Sequence, residues 1–179
     1  MPGLIQKSGF IKPRTGGGHY AEYIATREGV ELLEAPRPAH DGSGYLEYMA
    51  ERPRSHGLFS AGGPADLEET MEEINGHAGP VWTFIYSLKR EDAHRLGYES
   101  SESWRKLLLA HQTELAQAMK ISPKNFRWRA AFHDEKHHPH IHMMVWSADP
   151  KQGFLTEKGI EEMRSQLSNE IFRDELLSL

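Results

Sequence analysis

The sequence predicts an α+β domain, and three observations predict it. "VWTFIYSLK" (residues 81–89) places Trp82, Phe84, Tyr86 and Leu88 on one face by a period of two, the signature of a packed strand. Trp104, Leu107, Leu108, His111 and Leu115 recur instead at helical spacing. Two late stretches that read as strands, 126–133 and 140–146, are joined by six residues, a length that suits a hairpin between antiparallel neighbours. With 179 residues, 38% hydrophobic and 26% charged, the chain is long enough for one domain with a real core. We expect a single domain over 1–179, which could also be the N-terminal part of a longer protein.

The elements follow in order. Residues 3–12 read as a first strand, and the three glycines at 16–18 as a flexible turn. "HYAEYIATREGVELLE" (19–34) reads as helix, and the Pro- and Gly-rich 35–44 as a loop. Residues 45–52, "YLEYMAER", then echo 20–27, "YAEYIATR", at five of eight positions. A chance match or two similar helix starts would produce the same echo. Residues 64–75 predict an acidic helix with Pro64 near its start and Gly76 after its end. "REDAHRL" is a short helix closed by Gly97, and 104–119 a longer one. After the two late strands, Thr156 is placed to cap a last helix with a stripe of Ile160, Met163, Leu167 and Ile171.

Composition excludes some chemistry. The chain has no cysteine, so it has neither disulfides nor thiolate metal sites, which fits the cytoplasm. No apolar run approaches the roughly 20 residues that span a bilayer, so no membrane partner is expected. The formal charge of −5 argues mildly against nucleic acid, but "ADLEETMEE" (65–73) alone holds five carboxylates and no base. The sign of one face is not set by the total.

The imidazoles are the strongest signal. Five of the 11 histidines lie between His133 and His142. If the large apolar faces of the two late strands share the core, His133, His140 and His142 converge on the opposite face, with Arg127 and Arg129 on that same face. Three neutral imidazoles on adjacent strands suit a divalent metal and leave coordination positions open, as a catalytic ion needs. Mn²⁺ or Mg²⁺ is expected in function, although imidazole favours Zn²⁺ or Ni²⁺ in vitro. His137 and His138 sit in the turn. Arg127 and Arg129 are candidates for holding backbone phosphates, and Lys7, Lys12, Arg14, Arg52 and Arg54 add positive charge nearby.

The pattern His133-x-Glu135-x-x-x-Pro139-His140-Ile141-His142 resembles the metal motif of conjugative and mobilisation relaxases, members of the His-hydrophobic-His endonuclease superfamily. Glu135 stands where that motif usually has Asp. "YIATREGVE" (23–31), "RPRSHGLFS" (52–60), "SLKREDAHRLGYES" (87–100) and "AAFHDEKHHPHIHMMVWSADPKQGFLT" (130–156) look like relaxases of MobP/MobL type. The resemblance implies a central antiparallel sheet with helices packed against it and the paired histidines on an inner strand. It implies an enzyme that nicks one strand at a transfer origin and stays joined to the new 5′ end through a tyrosine. Single-stranded DNA with an adjacent hairpin is the implied substrate, and accessory relaxosome and coupling proteins are compatible partners.

Family nucleophiles lie near the N-terminus, often after a glycine-rich turn. Glu22-Tyr23-Ile24-x-x-Arg27-x-Gly29 looks like the motif around the nucleophile of some relaxases, with one extra residue before the Arg. Tyr23 is therefore the expected nucleophile, with Tyr20 next and His19, Tyr45 and Tyr48 as further candidates. Glu135 is a candidate general base or anchor behind the metal ligands. Competing readings are a rolling-circle initiator or transposase of the same superfamily, and a metal-dependent hydrolase that forms no covalent intermediate. The hydrolase would survive Tyr→Phe substitution.

Overall fold

Long runs of large apolar side chains at alternate positions build the centre of the molecule. The computed structural model describes residues 3–11, 31–32, 42–51 and 54–178. Its strands are β1 (Ile5–Ile11), β2 (Glu31–Leu32), β3 (Ser55–Ser60), β4 (Gly63–Pro64), β5 (Val81–Ser87), β6 (Phe126–His133) and β7 (His140–Ser147). Its α-helices are α1 (Gly42–Glu51), α2 (Leu67–Asn75), α3 (Arg90–Leu96), α4 (Ser101–Ala110), α5 (Gln112–Ala118), α6 (Glu157–Ile171) and α7 (Arg173–Leu177). The strands form one seven-stranded sheet in the order β2-β1-β5-β7-β6-β3-β4. Every pairing is antiparallel except β1 with β2. This is the expected α+β fold, with the His-x-His strand β7 at its centre.

Both faces of the sheet are covered. Trp82, Phe84, Tyr86, Trp128, Phe132, Ile141 and Met143 meet Trp104, Leu108, Leu115, Met163 and Leu167 of α4, α5 and α6 in the larger core. On the opposite face Ala131, Met144 and Trp146 meet Tyr45, Leu46 and Met49 of α1 and Ile74 of α2 in a smaller one. Each fully buried aromatic or aliphatic side chain contributes about 1.5–3 kcal/mol. The second layer explains why β7 is buried on both faces beyond His140.

The structure corrects several expectations. Of the helix expected over 19–34, Glu31–Leu32 is a strand beside β1, and the remainder lies outside the described residues. Helix α1 starts at Gly42, inside the expected loop. Pro64 belongs to β4; α2 begins after Asp66, whose carboxylate accepts from the amides of Glu68 and Glu69. The helix expected over 104–119 is two, broken at His111, whose φ of −110° leaves the helical region. Strand β3 had no clear alternation because Gly57, at φ 87°, sits where its register with β6 shifts.

Candidate metal centre

Antiparallel register fixes the histidines. His133 is directly opposite His140, and His142 opposite Ala131. The three rings converge, with centroids 4.3 Å apart for His133–His142, 5.0 Å for His140–His142 and 5.2 Å for His133–His140. One nitrogen from each lies within 4.8 Å of the others. His133 and His142 are buried, whereas His140 is half-exposed and opens the cluster to solvent.

The hydrogen bonds behind the rings test whether a metal fits. The Nε2–H of His133 donates to the Met49 carbonyl at 2.8 Å, which leaves the buried Nδ1 as the nitrogen that a neutral ring would offer to an ion. Met49 lies in the last turn of α1, where carbonyls have no helical partner; Ser55 Oγ donates to the same oxygen at 2.7 Å. The Nδ1–H of His140 donates to the His138 carbonyl at 2.9 Å, leaving its Nε2 as the ligand atom. That Nε2 is 3.2 Å from Nε2 of His142, close to the separation of two nitrogens each about 2.1 Å from one ion. Metal-binding histidines are normally held from behind in this way. The three residues could therefore hold a metal ion.

Tyr45 occupies the remaining position. Its hydroxyl is 3.0 Å from Nδ1 of His142, on the far side of the ring from the Nε2 that faces His140. Burial pushes the Tyr45 phenol well above its ordinary pKa, so it stays a neutral phenol. Tyr48, one turn along α1, sets its ring edge-on to His142 at 5.9 Å. The echo of residues 20–27 thus marks a helix backing the histidines. Tyr23, Tyr20 and His19 lie outside the described residues, as do Lys12, Arg14 and Arg52.

Sequence reasoning missed Arg90, which clamps the turn between the two histidine strands. Its Nη2 donates to Asp134 at 2.6 Å and to the Glu135 carbonyl, and its Nε to the Lys136 carbonyl at 3.1 Å. Its Nη1 rests on Glu99 at 3.0 Å, and its own amide donates to the His137 carbonyl at 3.0 Å. A planar guanidinium with five donors can satisfy several carbonyls at once, and lysine cannot. The only trace in the sequence was the family-like stretch that contains it. We expect Arg90→Ala to loosen this turn and lower metal affinity by roughly tenfold, the lower end for losing a group behind a ligand. Calorimetric titration with Mn²⁺ checks this; unchanged affinity would show that the turn holds without the clamp.

Glu135 shares a cavity of about 420 Å³ with Arg54, Lys136, His137, His138 and His140. Arg54 sits at φ 73°, a left-handed conformation costly for a side chain, and its carbonyl accepts from the Asp134 amide at 3.0 Å. Arg127 and Arg129 do share the histidine face, but at a distance. Arg129, about 13 Å along the strand from His133, donates to Thr70 of α2 at 3.2 Å and lies over Trp146. Arg127, half-buried, is about 20 Å away and donates to the Lys124 carbonyl at 2.9 Å. Lys7 is nearer: it is exposed and lies in the cross-strand row Lys7–Ile85–His142.

Comparison with known proteins gives one family. The family model of the MobL relaxases matches residues 1–178. No curated protein and no solved structure matches the chain. Among the described residues no helix is long and apolar enough to cross a membrane.

Proposed function

The chain belongs to the MobL relaxase family, and from that premise we propose that it nicks one DNA strand at a plasmid or conjugative-element transfer origin, forming a 5′-phosphotyrosine intermediate. The observation that carries the reading is the convergence of His133, His140 and His142 within a chain matched along 1–178 by the family. Mn²⁺ or Mg²⁺ is the proposed ion. A divalent ion held by neutral ligands keeps most of its charge for the non-bridging oxygens of a phosphodiester, which otherwise repel a nucleophile.

The chain's own groups supply the rest of the chemistry. Tyr23 is the proposed nucleophile. Its phenol oxygen forms a bond to phosphorus, the bond to the strand's 3′ oxygen breaks, and that oxygen leaves as a hydroxyl. Glu135, in the cavity beside His140, is proposed to take the phenol proton and return it to the leaving oxygen. The phosphotyrosine ester is close in energy to the bond it replaces, so the strand can be rejoined without ATP. Incubating the chain with single-stranded DNA and Mn²⁺ tests the reading: it predicts a covalent protein–DNA product, and cleavage leaving both DNA ends free would favour the hydrolase.

Phosphate contacts are proposed for Arg127 and Arg129. Because Arg129 already engages Thr70 and lies 3.8 Å from Glu73, Arg127 should contribute more. Each lost phosphate contact on a single strand lowers the salt dependence of log K by about 0.7. Replacing both arginines should weaken binding and flatten that slope, mostly through Arg127. Unchanged affinity and slope in a fluorescence-anisotropy titration would remove both from the interface.

A further inference from the structure

Two of the histidine rings are oriented by backbone carbonyls and the third by a hydroxyl, and the difference has a chemical consequence. A carbonyl can only accept, so Met49 fixes the proton of His133 on Nε2, and His138 fixes that of His140 on Nδ1. The phenol of Tyr45 can either donate or accept. At 3.2 Å, the Nε2 atoms of His140 and His142 cannot both present lone pairs to each other. With His140 already fixed, the neutral metal-free cluster puts a proton on Nε2 of His142. Its Nδ1 then accepts from the Tyr45 hydroxyl, 3.0 Å away. When His142 offers Nε2 to an ion, its proton must instead lie on Nδ1, and the only change this asks of Tyr45 is rotation of its hydroxyl hydrogen.

We propose that Tyr45 is a positioning residue whose hydrogen bond with His142 reverses direction, allowing that ring to exchange tautomers between the metal-free and metal-bound states. The ring is neutral in both: one proton leaves Nε2 to water and one arrives at Nδ1 from water. Helix α1 is built for the role. Tyr45 is 3% exposed and Met49 fully buried, and they lie one turn apart, so a single helix holds two of the three rings from behind. A phenylalanine would keep the packing and lose the reversal. It would strand the Nδ1–H of His142 in a buried site once an ion is bound.

The inference rests on the metal-centre reading, and the test separates the two. The full chain, labelled with ¹⁵N, is examined by long-range ¹H–¹⁵N correlation without metal and with diamagnetic Zn²⁺. We expect His142 to carry its proton on Nε2 without metal and on Nδ1 with Zn²⁺. Tyr45→Phe should bind Zn²⁺ and Mn²⁺ about 10–100-fold more weakly, with an unchanged circular dichroism spectrum. If His142 already holds its proton on Nδ1 without metal, the reversal does not occur and the proposal fails, whether or not the variant folds. Equal metal affinity of wild type and a folded Tyr45→Phe would also overturn it while leaving the metal centre standing. Failure of the wild-type chain to bind either ion would overturn the metal centre and this inference together.

Discussion

Alanine at His140 or His142 is expected to abolish both metal binding and nicking. Each ring supplies one of three converging nitrogens, and loss of a group merely behind a ligand already costs about 10–100-fold in affinity. Loss of the ligand itself should exceed about 100-fold in Mn²⁺ affinity. The two variants should differ in their folding. His140 is half-exposed, whereas His142 is 5% exposed and held by the buried Tyr45. His140→Ala should therefore remain close to wild type in thermal stability without metal, and His142→Ala should lose about 1–3 kcal/mol from the stranded Tyr45 hydroxyl. Calorimetric titration, thermal melts and a cleavage assay read the three quantities. Wild-type metal-dependent cleavage by either variant would sink the assignment of the triad.

Tyr23→Phe is expected to eliminate the covalent product while leaving metal affinity nearly unchanged. Nucleophilic attack needs the phenol about 3–3.5 Å from phosphorus and in line with the departing oxygen, and no neighbouring hydroxyl inherits that geometry automatically. Removing the one attacking oxygen should lower product formation by at least about 10³-fold. Tyr20→Phe, assayed alongside, should retain it. A product from Tyr23→Phe with none from Tyr20→Phe would move the role to Tyr20. If both variants form product, His19 and Tyr48 are the next candidates. Tyr45 is poorly suited, because its oxygen lies at Nδ1 of His142, on the far side of the ring from Nε2.

The histidine cluster was legible because two local rules suffice for it. Alternation assigns each strand residue to a face, and the six-residue connection between His133 and His140 makes the two strands neighbours. The structure pairs those two residues directly. His138, behind His140, is local, but the groups behind the other two rings were not legible, because they come from distant parts of the chain. Tyr45 is 97 residues from His142, and Met49 is 84 from His133. Arg90 reaches the histidine turn across 44 to 46 residues. No periodicity encodes such contacts. The same limit applied to Arg129: alternation placed it on the histidine face, but could not show that α2 lies over it with Thr70 at 3.2 Å. The break at His111 escaped for a different reason, since Leu108 and Leu115 are both fully buried and the helical spacing passes through the kink.

The most direct measurement of the central claim is a denaturing gel of the full chain incubated with labelled single-stranded DNA carrying the cognate transfer origin. The account predicts a protein-linked DNA band that requires Mn²⁺ or Mg²⁺, disappears with EDTA, and is absent from His140→Ala and Tyr23→Phe alike. Cleavage that proceeds with no protein-linked band, or a band that persists in EDTA, would contradict it.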